Sequence, residues 1–292
     1  MPTMSLTRAS GCKINLLLNI LGKRDDGFHE LETVLQPVPL CDELDFSIAS
    51  EGIHLTCDNP ALPCDDSNLV VKAARSFFAA ADLSPRATIH LRKRIPLEAG
   101  LGGGSSNAAA TLLALNELFE QPLTPDQLQS LAAKLGSDVP FFLQENPALA
   151  IGRGEKVRPL APFAVLRGLT LLLLHPGFGI STGWAYKTLA EFPEALNGRP
   201  GRAGELVAAM TTGAPDWESG LYNSLEAPAF RKYPILPIYL EAFRAAGATG
   251  AMMSGSGSTV FAFFPVRSRA EQCVEDFRPR FGSAFWHAVV DL

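Results

Sequence analysis

From residue 14 the chain alternates. Ile14, Leu16 and Leu18 fall on one face and Lys13, Asn15 and Leu17 on the other, which predicts a strand over 14–21. Lys23-Arg24-Asp25-Asp26-Gly27 supplies a polar turn. Apolar stretches over 31–38, 43–48 and 53–57 predict three further strands, and the loop 60–65 brings Ser67 into place to cap a helix over 68–81. Residues 88–92 alternate again as a strand, and the Ala- and Leu-rich run 108–119 predicts a helix. Thr124-Pro125-Asp126-Gln127 combines an N-cap threonine, proline at the first helical position and glutamine at the third, with Gly136 as the stop signal. Ser137-Asp138-Val139-Pro140 opens a further apolar stretch.

The second half predicts strands at 169–174, 250–253, 259–264 and 284–290 and helices at 182–191, 204–211, 235–246 and 267–277. Pro159 and Pro162 mark a boundary near residue 160, giving an N-terminal domain of 1–160 and a C-terminal domain of 161–292, with the last strand a candidate to return to the first. Strands followed by helices, without a regular strand–helix–strand series, indicate an α+β protein. Neither an internal repeat nor a low-complexity tract interrupts this order.

Composition narrows the class. Of 292 residues, 47% are apolar and 19% charged, a balance that excludes intrinsic disorder. With 25 basic against 30 acidic side chains the net charge is −5, which argues against nucleic acid as a partner. The 5 cysteines form no Cys-x-x-Cys pair, so neither a disulfide framework nor a zinc site is expected. No apolar run reaches the roughly 18 residues of a membrane span. Asn15 and Asn19 break the early apolar run, and no small-residue cleavage site follows. The expectation is a cytoplasmic, bacterial-type enzyme without signal or transit peptide.

The densest chemical signal is Pro96-Leu97-Glu98-Ala99-Gly100-Leu101-Gly102-Gly103-Gly104-Ser105-Ser106-Asn107, between a strand and a helix. Glycines let backbone N–H groups turn toward an anion, and the helix start adds unpaired N–H groups and the positive end of its dipole. The lysine of a Walker A loop is missing. Gly102-x-Gly104-x-x-Asn107 approaches the dinucleotide pattern, but the acidic residue expected about twenty positions on is absent: Glu117 and Glu120 lie in or at the end of the helix. Protein-kinase signatures are absent too.

This glycine loop resembles the phosphate loop of the GHMP kinases, named for galactokinase, homoserine, mevalonate and phosphomevalonate kinases. Ser254-Gly255-Ser256-Gly257-Ser258 resembles their second glycine loop. Four further segments are similar to the branch that acts on a small alcohol linked to cytidine diphosphate, in the non-mevalonate route to isoprenoid precursors. These are Lys13-Ile14-Asn15-Leu16, Lys23 to Leu31 with Asp26-Gly27-Phe28-His29 at its centre, Gly136 to Phe142, and Gly152-Arg153-Gly154-Glu155. The motifs run in family order from 13 to 258 and so cover nearly the whole chain.

The resemblance implies a two-domain fold, with an N-terminal α/β domain of the ribosomal-protein-S5 type and a ferredoxin-like C-terminal domain. It implies ATP as phosphoryl donor with Mg²⁺, held along Pro96 to Ser106, with Asn68 and Lys93 at the adenine. It makes Asp138 the base that takes the substrate hydroxyl proton and Lys13 the cation that stabilises developing charge. Asn15 would bond the alcohol, His29 would read the cytosine edge, and Phe28 would stack on that ring, with Tyr186 or Trp184 on its other face. Asn107 stands where many relatives place Asp, and no magnesium ligand is assigned. Asn223-Ser224-Leu225-Glu226 also resembles a family segment, without a role. Other readings stay open at this level: another GHMP kinase of the homoserine or mevalonate type, a non-catalytic nucleotide-binding regulator on the same fold, and a dinucleotide-binding protein.

Overall fold

The computed structural model describes residues 5–292. The chain divides into two compact units. The first takes the chain through Cys12, then Leu40–Ile95 and Gly102–Glu145; the second takes Lys13–Pro39, Pro96–Leu101 and Asn146–Leu292. Two long strands, β1 (Ser5–Lys23) and β2 (His29–Ile48), each contribute residues to both.

In the first unit, Glu43–Ile48 of β2 pairs antiparallel with β4 (Arg86–Arg92), and β4 pairs parallel with β3 (Gly52–Cys57). Three helices, α1 (Leu69–Ala80), α2 (Gly103–Leu118) and α3 (Pro125–Leu135), complete the layer, and a 3₁₀ turn spans Val139–Leu143. Its core joins Leu44, Phe46 and Ile89 from the strands to Phe77, Phe78 and Leu112 from α1 and α2. The capping box before α3 forms as the sequence predicts, with Thr124 and Gln127 each bonding the other's backbone N–H.

Several boundaries differ from expectation. The cap of α1 is Asn68, whose side chain accepts from Val70 N; Ser67 instead donates to Asp65. The helix expected from 108 begins five residues earlier, inside the glycine loop, because Gly102 adopts a left-handed φ of 72° and turns the chain directly into α2. The two strands expected at 31–38 and 43–48 are one. Pro37 and Pro39 fall between the β5-paired stretch Leu31–Leu35 and the β4-paired stretch Glu43–Ile48, where neither of these two ladders needs their missing N–H.

In the second unit, β5 (Ala148–Gly152) pairs with β2 and with β6 (Lys156–Pro159), two short strands that sequence periodicity missed. A separate sheet follows the order β11-β7-β10-β9, with β7 (Thr170–His175), β9 (Gly250–Met253), β10 (Val260–Phe264) and β11 (Trp286–Asp291). The last strand therefore does not return to the N-terminal part. It pairs antiparallel with β7, Trp286 opposite His175, where its Ala288 and Val289 meet Leu173 and Leu172.

The same unit holds α4 (Thr182–Thr188), α5 (Pro193–Leu196), α6 (Arg202–Thr212), α7 (Glu226–Lys232), α8 (Ile235–Ala245) and α9 (Arg267–Phe281), of which α8 and α9 pack against this sheet. Along β10 the side chains alternate. Val260, Ala262 and Phe264 join the core with Phe243 of α8 and Phe277 of α9, while Phe263 meets Trp217 edge-on from the other side. A two-residue strand, β8 (Tyr222–Asn223), pairs parallel with Leu17–Leu18 of β1. No helix among the described residues is long and apolar enough to cross a membrane.

Candidate functional site

Lys13 and Asn15 alternate into the second unit on β1, and both are buried. A buried ammonium needs acceptors to offset its desolvation. The Lys13 Nζ donates to Asn15 Oδ1 at 2.6 Å and to the Gly100 carbonyl at 3.0 Å, while Lys13 N donates to Leu101 O. Asn15 is oriented in turn, since its Nδ2 donates to Thr33 Oγ1 at 2.9 Å and Thr33 donates to Leu17 O. Strand β1 thus presents an ammonium and an amide whose positions are fixed before any ligand arrives.

The second glycine loop packs onto this pair. Ser254 Oγ donates to Gly100 O at 3.1 Å and accepts from Asn15 N at 3.4 Å. A Cβ at Gly255 would stand 3.3 Å from Lys13 Nζ and 3.2 Å from Asn15 Oδ1, and Gly255 has a φ of +57°. Gly100, at φ +76°, lies so close to the loop that a Cβ would be driven into the Ser254 carbonyl, with Gly257 N at 3.0 Å. Pro96 to Ala99 lead into this contact: Glu98 is exposed with a φ of 49°, and Ala99 O accepts from Thr259 N.

The segment without a sequence-level role turns out to brace the loop. Asn223 Nδ2 donates to Met253 O at 2.9 Å and Gly255 O at 2.8 Å, and Glu226 Oε1 accepts from Met253 N at 2.9 Å. Burial pushes the Glu226 carboxyl up to about 7, against the opposing effects of the Met253 N–H and Arg244. The folded-state value lies above the ordinary 4.5, so the folded chain holds the extra proton between the two. The resulting stabilisation is complete below about pH 4.5 and is lost as pH rises through about 7. Glu226→Gln keeps an oxygen acceptor for Met253 and removes the ionisation. The variant is expected to lose that fall, gaining about 3 kcal/mol over the parent at pH 8 relative to pH 4 in urea unfolding. An unchanged difference between the two pH values would remove Glu226 as its source.

The turn joining β1 to β2 carries the aromatic candidates. The Asp26 carboxylate accepts from Phe28 N and from Arg24, and the Phe28 bond is the main cause holding it below its ordinary value. Phe28 is 51% exposed, with the Arg153 guanidinium 4.5 Å over its ring. His29 and Tyr186 lie with ring centroids 5.1 Å apart. Burial, with a smaller contribution from Lys23, holds His29 below the ordinary imidazole value, so the ring is neutral at pH 7 and offers one donor and one acceptor. Trp184 turns elsewhere, packing edge-on to Tyr233 beneath the Lys232 ammonium.

In the first unit, Gly102, Gly103, Gly104 and Ser105 open α2 with no side-chain cap on its first N–H groups. Ser106 is buried and accepts from Ser10 Oγ at 2.7 Å. Asn68 is committed to capping α1 and donates to Pro63 O. The Lys93 side chain is buried and ion-paired with Asp42, a residue the sequence reading passed over. Asp42 also accepts from Arg94 N at 2.7 Å, Ile95 N at 2.9 Å and Asn107 Nδ2 at 3.0 Å, so it fixes the chain entering the glycine loop. Its signal was parity: Asp42, Leu44 and Phe46 share one face of β2, and a carboxylate on a core-facing position requires partners. Asn107 donates to Ser10 and Asp42 and accepts from Lys93, so its amide is fully used internally. Asp138 is partly buried and starts the 3₁₀ turn Val139–Leu143. Among the described residues, no three of His, Cys, Asp or Glu converge as a metal would require.

Two family models match the chain, GHMP kinases N terminal domain over residues 68–146 and GHMP kinases C terminal over residues 192–284. A 4-diphosphocytidyl-2-C-methyl-D-erythritol kinase of a Synechococcus species is 40% identical over 289 residues, spanning 96% of this chain and 92% of that protein. Its namesake from Pelotomaculum thermopropionicum is 42% identical over 277 residues, spanning 94% of each. The crystal structure of a 4-(cytidine 5'-diphospho)-2C-methyl-D-erythritol kinase superimposes with a TM-score of 0.78 at 34% identity, covering 98% of this chain and all of the other.

Proposed function

Since the chain belongs to the 4-diphosphocytidyl-2-C-methyl-D-erythritol kinase family of GHMP kinases, we propose that it transfers the γ-phosphoryl of ATP to the 2-hydroxyl of 4-diphosphocytidyl-2-C-methyl-D-erythritol. The products are the 2-phosphate and ADP, in the cytoplasm, on the non-mevalonate route to isoprenoid precursors. One observation carries the reading beyond the family: a single β1–β2 hairpin bears both the held Lys13–Asn15 pair and the Phe28–His29 pair beside Tyr186. Charge stabilisation and base recognition therefore come from one continuous stretch of chain.

In this reading residues 1–160 form the ATP-binding N-terminal domain, which also carries Asn15, Phe28 and His29, and residues 161–292 form the C-terminal domain. ATP lies along Pro96 to Ser106, and Asn68 and Lys93 border the adenine with their side chains held by Val70 N and Pro63 O and by Asp42 respectively. The substrate hydroxyl proton passes to the Asp138 carboxylate as the oxygen attacks the γ-phosphorus, and the bond to the bridging oxygen of ADP breaks. Lys13 opposes the charge that develops on the transferring group. Asn15 bonds the alcohol, and neutral His29 reads donor and acceptor on the cytosine edge while Phe28 and Tyr186 flank the ring. Mg²⁺, bound with the ATP phosphates, would offset their charge; the Ser105 hydroxyl would be its protein contact, since the Asn107 amide is taken up by Ser10 and Asp42.

The test is Mg²⁺- and ATP-dependent ADP release with the cytidine substrate, beside homoserine and mevalonate. Turnover confined to the cytidine substrate is expected; turnover with another alcohol instead would discard the base-reading roles. His29→Ala is expected to raise KM for the cytidine substrate about tenfold or more and leave KM for ATP near its parent value. Equal rises for both ligands would count against the assignment of His29.

A further inference from the structure

Asn223 is buried on the edge strand β8, beside Leu18 of β1. Its amide is saturated in a specific way. Oδ1 accepts from Leu225 N at 2.9 Å, which fixes which side of the amide is oxygen. Nδ2 then faces two carbonyls, Met253 O and Gly255 O, that bracket the first residue of the second glycine loop. A planar group with one acceptor and two donors on so short a stem is found only in asparagine.

The loop held in this way is the floor under Lys13. Ser254 joins Gly100 O and Asn15 N, and the bare Cα of Gly255 lets the backbone close against the Lys13 ammonium. Glu226 holds the same strand from the N–H of Met253. We propose that Asn223 is a positioning residue for phosphoryl transfer: by pinning Met253 and Gly255 it sets the shape of Ser254–Ser258 and, through that loop, the placement of Lys13 and Asn15. This rests on the charge-stabilising role given to Lys13 above.

Asn223→Asp tests it with almost no change of volume. The carboxylate still accepts from Leu225 N but offers no donors and places charge against two carbonyl oxygens. Amide hydrogen exchange over residues 253–258 is expected to quicken about tenfold or more while the rest of the chain keeps its protection. The kcat with the cytidine substrate is expected to fall about 10- to 100-fold with KM for ATP within about threefold, the pattern of a displaced group rather than lost binding. Asn223→Ala should give the same localised change. Parent-like loop exchange and kcat in both variants would overturn the proposal. So would a loss of protection spread evenly over the chain, which marks a purely structural residue. Exchange requires no substrate. If the parent protein fails to phosphorylate the cytidine substrate, the functional reading falls on that result, and the loop measurement still decides whether Asn223 sets the loop.

Discussion

Asp138→Asn is expected to lower kcat roughly a hundred- to ten-thousand-fold, the range by which a positioned general base accelerates proton transfer, while ATP affinity stays within about threefold. An alcohol oxygen becomes an effective nucleophile only as its proton leaves, and under the proposed mechanism Asp138 receives it. Asparagine has the same shape, so the start of the 3₁₀ turn at Val139–Leu143 is preserved and the turn's buried Val139, Pro140 and Phe141 need not move. What changes is the charge and basicity of the group, with one carboxylate oxygen replaced by an NH₂ donor. Single-turnover quench experiments with saturating ATP would read the chemical step, and equilibrium titration with a fluorescent ATP analogue would read binding. Parent-like turnover would remove Asp138 as base; loss of both turnover and nucleotide binding would instead make it a structural or phosphate-site residue.

Gly100→Ala is expected to be nearly as severe, by a different physical route. The position combines two demands. Its φ of +76° is costly for any side chain, and a methyl group would meet the Ser254 carbonyl, Gly257 N and Gly257 O together. These neighbours are backbone and cannot rotate away. Relief requires the Ser254–Ser258 loop to withdraw, which breaks the Ser254 bonds to Gly100 O and Asn15 N and opens the space beside Lys13. We expect a stability loss of about 2–4 kcal/mol, from local strain and the broken bonds, and turnover below about one per cent of the parent, since a displacement near 1 Å costs about a hundredfold. Urea unfolding and ADP release measure the two effects separately. A variant with parent-like stability and turnover would show that the two glycine loops can part without consequence.

What the sequence made legible was local. The Thr124–Gln127 box, the turn at Asp26 and the buried run of β7 each depend on residues adjacent in the chain, and each formed where expected. The glycine loop was also visible, because its composition is tied to a backbone conformation. What stayed hidden depended on distant partners. The strands expected at 31–38 and 43–48 were read as two because nothing nearby reveals that β2 runs on between its β5-paired and β4-paired stretches. Resemblance placed Lys93 at the adenine, and nothing local showed that its side chain pairs with Asp42, 51 positions away. Asn223 carried no evident role because the carbonyls it binds are 30 and 32 residues further on. The strands β5 and β6 were missed for the complementary reason: five and four residues are too few for a period of two to stand out.

The pairing of Leu17 with Tyr222 also sets a clock on the ribosome. At about 5–20 residues per second, the chain takes roughly 10–40 s to extend from one of these residues to the other. Throughout that interval the Leu17–Leu18 edge of β1 is complete in sequence but lacks its partner strand, and an unpaired strand edge invites pairing with other chains. The lag between the first glycine loop and the second is about three quarters as long, so the seat of Lys13 is among the last features to close. Synonymous changes that slow translation between these segments would lengthen the exposure without altering a single side chain.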